Sequence, residues 1–147
     1  MNNKVMIDSS MLIEYIKKSK IALLDSLLGD STLTCCICEV VVSEFLFYYL
    51  KINATASPLS VQSSKRIKPV LENSLDYLLI QLFHFLPTNN SLYNTVPRLM
   101  SKYNLLPNDA IILATCKMHN ITKLASHDTD FIFSCQEEGI ELLIEKD

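Results

Sequence analysis

Glycine is scarce in this chain of 147 residues, which has only Gly29 and Gly139. Histidine is nearly as rare, and His84, His119 and His127 show no paired spacing of the kind a histidine-based acid and base would need. No apolar stretch reaches the roughly 18 residues that span a bilayer, and no internal repeat is visible. The start of the chain lacks the basic region, apolar stretch and cleavage site of a secretion signal. These absences argue against a low-complexity chain, a membrane span and a secreted protein. What remains is 49% hydrophobic and 20% charged, the profile of a compact, helix-rich globule expected in the cytoplasm. One domain over residues 1–147 is expected, large enough to bury about two thirds of the surface of its unfolded form.

Five cysteines, Cys35, Cys36, Cys38, Cys116 and Cys135, are an odd number without a secretion signal, which favours reduced thiols. The CCIC cluster lacks the second ligand pair that a zinc site needs, so buried structural thiols are expected. The net charge is -3, which superficially disfavours a phosphate-rich partner. Asp8, Glu44, Asp109 and Asp128 account for four of the acids, and without them 13 basic residues face 12 acidic ones.

Those four acids stand beside strongly apolar stretches: Asp8 after KVMI, Glu44 in EVVVSEFLFYYL, Asp109 in LPNDAIILATCKMHN and Asp128 in ITKLASHDTDF. A carboxylate against a core is costly unless it is paired or bound to a metal. Four of them suggest one shared cation.

The pattern predicts a strand over 4–7, a helix from Ser9, a second helix ending at Gly29, and a strand over 31–36. A long helix follows from about Cys38 to Ile52, then a loop over 53–64 marked by small polar residues and Pro58. VLENSLDYLLIQL reads as one amphipathic helix and residues 83–87 as a short strand. The next helix runs from Asn89, with Pro97 forcing a kink or a late start. AIILATCKMHN is the most apolar helix, 121–126 a strand, DTDFIFSCQEEG a helix closed by Gly139, and IELLIE a final edge strand. Strands alternating with helices imply an α/β fold with a parallel sheet. Ligands bind such sheets beyond the carboxyl ends of the strands, where Asp8 and Asp128 fall.

Hard cations such as Mg²⁺ and Mn²⁺ prefer carboxylate and water oxygens, and can orient a phosphodiester and activate a water against it. Metal-dependent phosphodiester chemistry is therefore the leading reading, with no side-chain nucleophile. At a helix start, the dipole should keep Asp109 ionised. Taken singly, the acids also have structural readings. Asp109 could favour a helix N-terminus with Asn108 as cap, and Asp8, Asp128 and Asp130 could be turn or cap residues. Ser9 or Ser10 could cap the first helix or hold a metal-bound water. Glu44 is harder to explain structurally, since solvated positions on its helix are few. Glu39 lies about 140° around from it and reads as a first-turn acid.

Taken in order, VMIDSSMLIEYI, VVVSEFLFYYL, PNDAIILATCKMHN and KLASHDTDF resemble the PIN-domain ribonucleases, especially the VapC-type toxins of toxin and antitoxin pairs. The resemblance spans nearly the whole chain. It implies a three-layer α/β/α sandwich with a five-stranded parallel sheet, and a metal-dependent endoribonuclease using Mg²⁺ or Mn²⁺. It also implies an RNA substrate, frequent homodimers and a cognate antitoxin. It matches Asp8, Glu44, Asp109 and Asp128 to the family's acidic positions, with Asp130 as an auxiliary ligand. Ser9 and Asn108, next to two of the acids, are candidates for contacting substrate.

This chain departs from the family in a longer, more polar segment over 53–87 and in Asn120, where a glycine is frequent. Lys65, Arg66 and Lys68 could contact RNA phosphates or form an ordinary solvated loop. Tyr48 and Tyr49 read as core or dimer contacts rather than base-stacking platforms, and His127 as a surface or capping residue. Two other functions compete: an RNA-processing nuclease of the same fold without an antitoxin, and a binding module whose acids are structural.

Overall fold

The computed structural model describes residues 2–146. Five strands form one sheet, β1 (Lys4–Ile7), β2 (Thr34–Cys38), β3 (His84–Leu86), β4 (Lys123–Ala125) and β5 (Glu141–Leu143), in the order β3-β2-β1-β4-β5 with every pairing parallel. Parallel neighbours need crossover connections. These are supplied by α1 (Ser9–Ile16), α2 (Ala22–Gly29), α3 (Glu39–Ala54), α4 (Pro58–Ser63), α5 (Ile67–Asn73), α6 (Leu92–Tyr103), α7 (Pro107–Met118) and α8 (Phe131–Glu137). The α/β class, with a five-stranded parallel sheet flanked by helices, is thus as expected.

The central strands are closed to water on both faces: Val5, Met6, Ile7, Cys36 and Leu124 are all fully buried. They join Phe45 and Tyr49 of α3, Ile112 and Leu113 of α7 and Phe131 of α8 in one apolar cluster. All five cysteines are free and buried within it. Burial pushes the Cys35 and Cys135 thiols up to about 11, as suits inert packing groups.

From β1 the chain moves to β2 and β3 on one side, then returns to place β4 and β5 on the other. This makes the gap between β1 and β4 the point where connections diverge, the usual crevice for a ligand in open α/β sheets. Asp8 directly follows β1, and its amide donates to Ala125 O at 3.0 Å. Asp128 sits three residues beyond β4 rather than directly at its end.

Several elements differ from the sequence pattern. The loop expected over 53–64 contains α4, where Ser57 Oγ accepts the Ser60 amide at 3.2 Å and Pro58 opens the helix. Serine before proline is a helix start, and buried Val61 anchors it. The single helix expected over 70–82 is broken. α5 stops at Asn73, Ser74 is extended, and a 3₁₀ segment runs over Asp76–Leu82. Ser74 O instead accepts the Tyr49 hydroxyl at 2.9 Å. α6 passes through Pro97, starting well ahead of it at Leu92. Pro97 is exposed, so water can reach the carbonyl it leaves unbonded. β2 begins three residues later than expected, at Thr34. Asn120 adopts a left-handed conformation (φ 54°) as the Ile121 amide returns to Cys116 O at 2.8 Å. A glycine or asparagine suits that helix end.

Candidate active site

Four elements bring acids to one cleft of about 620 Å³. Asp8 comes from the end of β1, Glu44 from α3, Asp109 from α7 and Asp128 from the turn after β4. Asp8 is the most enclosed, 3% exposed. It occupies the N-cap of α1, yet its carboxylate makes no capping hydrogen bond. Instead its Oδ2 accepts the hydroxyls of Ser10 and Ser126, both at 2.7 Å. The capping account therefore fails for the Asp8 side chain, whose oxygens are held by serine hydroxyls.

Ser9 bridges two acids, with its Oγ 3.2 Å from Glu44 Oε1 and 3.5 Å from Asp8 Oδ1. It does not cap α1. Asn108 is not a cap either, because Leu106 holds that position in α7 and Pro107 fills the first turn. The Asn108 side chain stands by the Glu44 carboxylate and favours its ionised form. Pro107 and Asn108 place Asp109 at the third helical residue, where it too makes no cap.

The Asp128 amide donates to Ser126 Oγ at 2.9 Å, and the Asp128 Oδ1 accepts the Asp130 amide at 2.8 Å. The turn role considered for Asp128 is real, but the residue also lines the cleft. Asp130 precedes α8 without a side-chain cap and is exposed. One oxygen each from Asp109, Asp128 and Asp130 lies within 4.8 Å of the others. Glu39 is exposed in the first turn of α3, away from this cluster.

Burial, opposed by the Ser126 and Ser10 hydrogen bonds, raises the Asp8 carboxyl above its ordinary range. Burial likewise raises Glu44, against the lowering influence of Asn108. Asp109 is pushed up to about 7, first by burial and then by the charges of Asp8, Asp128, Glu44 and Asp130. The expectation that its helix dipole keeps it ionised is thus overturned. A partial charge at a helix end is outweighed by desolvation and by the neighbouring carboxylates. A carboxyl group raised by its neighbours' negative charge would return to the ionised form beside a cation. The clustered oxygens are the hard ligands that Mg²⁺ and Mn²⁺ prefer.

Some candidates stay apart from the cleft. Lys65, Arg66 and Lys68 are exposed around the α4–α5 connection and do not line it. Arg66 Nε donates to Ser64 Oγ at 2.9 Å, and Lys68 lies 3.8 Å from Glu72. Tyr49 is fully buried, as expected of a core residue. Tyr48 is not: it is 40% exposed and lines the cleft. The His127 amide bonds Ser10 Oγ at 3.0 Å, tying the turn after β4 to α1.

Sequence reasoning missed Ser126, Lys17 and Lys51. The last two also line the cleft. Lys51 could have been found by its place seven residues after Glu44, on the same helical face. For Ser126, a buried hydroxyl joining two separate segments, only its position two residues before Asp128 hinted at a turn.

Residues 5–133 match the family model described as PIN domain. Two ribonucleases from Methanocaldococcus jannaschii are similar over most of their length. Ribonuclease VapC2 is 30% identical over 130 residues, covering 88% of this chain and 87% of the relative. Ribonuclease VapC6 is 34% identical over 147 aligned positions, covering 88% of this chain and 91% of the relative. Among solved structures, FitAcB from Neisseria gonorrhoeae has the same fold at a TM-score of 0.57 and 19% identity, covering 95% of this chain and 96% of that one. FitAB bound to an IR36 DNA fragment also aligns at a TM-score of 0.57, with 18% identity and 95% and 94% of the two chains covered.

Proposed function

The chain belongs to the PIN-domain family, and from that premise we propose that it is an endoribonuclease and the toxin of a type II toxin and antitoxin pair. Its RNA cleavage would depend on Mg²⁺ or Mn²⁺ held by Asp8, Glu44, Asp109 and Asp128, with Asp130 as an auxiliary ligand. The observation that carries this reading is the convergence of those four acids, from four separate elements, on one cleft at the sheet's divergence point. Ribonuclease relatives alignable over nearly their whole length support the choice of RNA.

When bound, a divalent ion supplies positive charge opposite the phosphate oxygens and makes an attacking water more acidic. The chain's own residues set the geometry. Ser10 and Ser126 both donate to Oδ2 of the Asp8 carboxylate, while Ser9 donates to Glu44. These bonds fix the rotamers of two acids before substrate arrives, so less ordering remains at the reaction. In this reading water is the nucleophile, and no side chain of the cleft is assigned that role.

The test is expression of the chain with and without its neighbouring gene, followed by mapping of RNA ends, and purified cleavage assays with Mg²⁺, Mn²⁺ or a chelator. Cleavage restored by metal and relieved by the neighbouring product is expected. Asp8→Asn and Asp109→Asn should each lower cleavage roughly 100-fold or more, since even outer partners of metal ligands are worth about 10- to 100-fold. Full metal-dependent cleavage by both variants would sink the site assignment.

A further inference from the structure

The cleft extends well beyond its acids, along one face of α3. Glu44, Tyr48, Lys51, Ile52 and Thr55 all line it, at offsets of four, seven, eight and eleven from Glu44. At 1.5 Å per residue, Tyr48 lies about 6 Å along the axis from Glu44 and Lys51 about 10 Å. The acids thus occupy one end, and an aromatic ring followed by an ammonium group the other.

Tyr48 is half-exposed although its side chain is largely apolar. Its neighbour Phe47 meets the ring edge-on, at 5.7 Å between centroids and 88° between planes. Lys51 Nζ lies 5.9 Å from the Tyr48 ring centroid, within reach of a cation–π contact. Lys17, the other lysine of the cleft, is paired with Glu14 at 3.3 Å. Lys51 has no carboxylate partner among the described residues. A half-exposed ring next to a cation without a carboxylate partner is the pair of groups that single-stranded nucleic acid uses: bases stack on the ring and phosphates meet the cation.

We propose that Tyr48 and Lys51 form a nucleotide-positioning subsite, with Tyr48 stacking on the base adjacent to the scissile phosphate and Lys51 contacting the next phosphate along the strand. The subsite rests on the nuclease reading of the acids. It adds the register of the RNA: the strand runs along α3 from Glu44 toward Thr55. Stacking is tolerant of base identity, so the subsite sets where the strand lies and leaves the choice of sequence to other contacts.

The test uses a fluorescein-labelled single-stranded RNA decamer of mixed sequence and a bulk transfer RNA preparation. Binding is read by anisotropy with Ca²⁺, and hydrolysis with Mg²⁺. Tyr48→Ala is expected to raise Kd and KM by about 10-fold, with kcat changed much less, while Tyr48→Phe stays close to the parent. Lys51→Ala should weaken binding and lower the slope of log affinity against log salt by about 0.7. Both positions are on the surface of a helix, and thermal unfolding of each variant verifies that the fold is intact. Parent-like binding and KM in Tyr48→Ala, or an equal loss in Tyr48→Phe, would overturn the subsite while leaving the nuclease reading in place. Failure of the parent to bind or cleave either RNA would overturn both.

Discussion

Ser126 donates to Asp8 Oδ2 at 2.7 Å, joining the residue after β4 to the residue after β1. Ser126 Oγ in turn accepts the Asp128 amide at 2.9 Å, so one buried hydroxyl orients two of the four acids. Ser126→Ala should therefore lower RNA cleavage about 10-fold, in the range for partners that orient metal ligands. It should also shift the Mg²⁺ dependence of cleavage to higher concentration. Unfolding should be easier by about 1 kcal/mol, the worth of a buried hydrogen bond. Cleavage titrated against Mg²⁺, beside thermal melts, reads both effects.

The raised Asp109 carboxyl makes the metal-free fold sensitive to pH. Its carboxyl group titrates near 3.8 in an unfolded chain and is pushed up to about 7 in the fold. Between those values the folded state holds a proton that the unfolded state has lost. Stability should thus be fully present below about pH 4 and decline as pH rises through 7. Asp109→Asn should reduce that decline, to which the raised Asp8 and Glu44 also contribute, and raise the metal-free melting temperature near neutral pH by roughly 4 °C, equivalent to about 1 kcal/mol. Melts across pH with a chelator present measure this. Saturating Mg²⁺ should flatten the parent's curve by binding the folded state.

Glu138 fastens the far side of the molecule from α8. Its Oε2 accepts Lys117 Nζ of α7 at 2.7 Å, and Oε1 lies 4.0 Å from Arg98 of α6. Despite burial that opposes it, the Lys117 bond holds Glu138 below the usual carboxylate range. Glu138→Ala would leave Lys117 without that acceptor and should destabilise by about 2 kcal/mol. Because a lowered carboxylate contributes its stability above its unfolded value, the loss should be full near pH 7 and shrink as pH falls below about 4. Denaturant melts at two pH values would show it, with RNA cleavage per folded molecule unchanged.

Asn120 carries the turn between α7 and β4 at φ 54°. Asn120→Gly should be neutral or stabilising by a few tenths of a kcal/mol, whereas Asn120→Ala should cost about 1 kcal/mol, because a Cβ without a local polar partner disfavours that conformation. Paired melts of the two variants settle the difference in sign.

The acids were legible because their signals are local: an apolar strand ending in Asp8, a lone carboxylate in the apolar run around Glu44, and Pro107 opening the helix that carries Asp109. The alternation of strands and helices likewise fixed the α/β class. What escaped depended on contacts distant in sequence. The break at Ser74 follows from Tyr49 reaching its carbonyl, and the partnership of Ser126 with Asp8 spans 118 residues. The charge state of Asp109 depends on acids from three other elements. α4 was different: Ser57 and Pro58 announce a helix start, but the surrounding small polar residues outweighed them. Tyr48 and Tyr49 are adjacent in one aromatic run, and only the orientation of α3 sends one to the core and the other to the cleft.

Both borders of the sheet, β3 and β5, are strands of three residues. A neighbouring chain that tried to lengthen the sheet would find very few main-chain groups with which to continue the ladder. Such brief edges protect a parallel sheet from templated strand addition and the aggregation that follows from it. Self-recognition through this sheet is thereby disfavoured, and partners are left to be recognised by side chains on helices and loops.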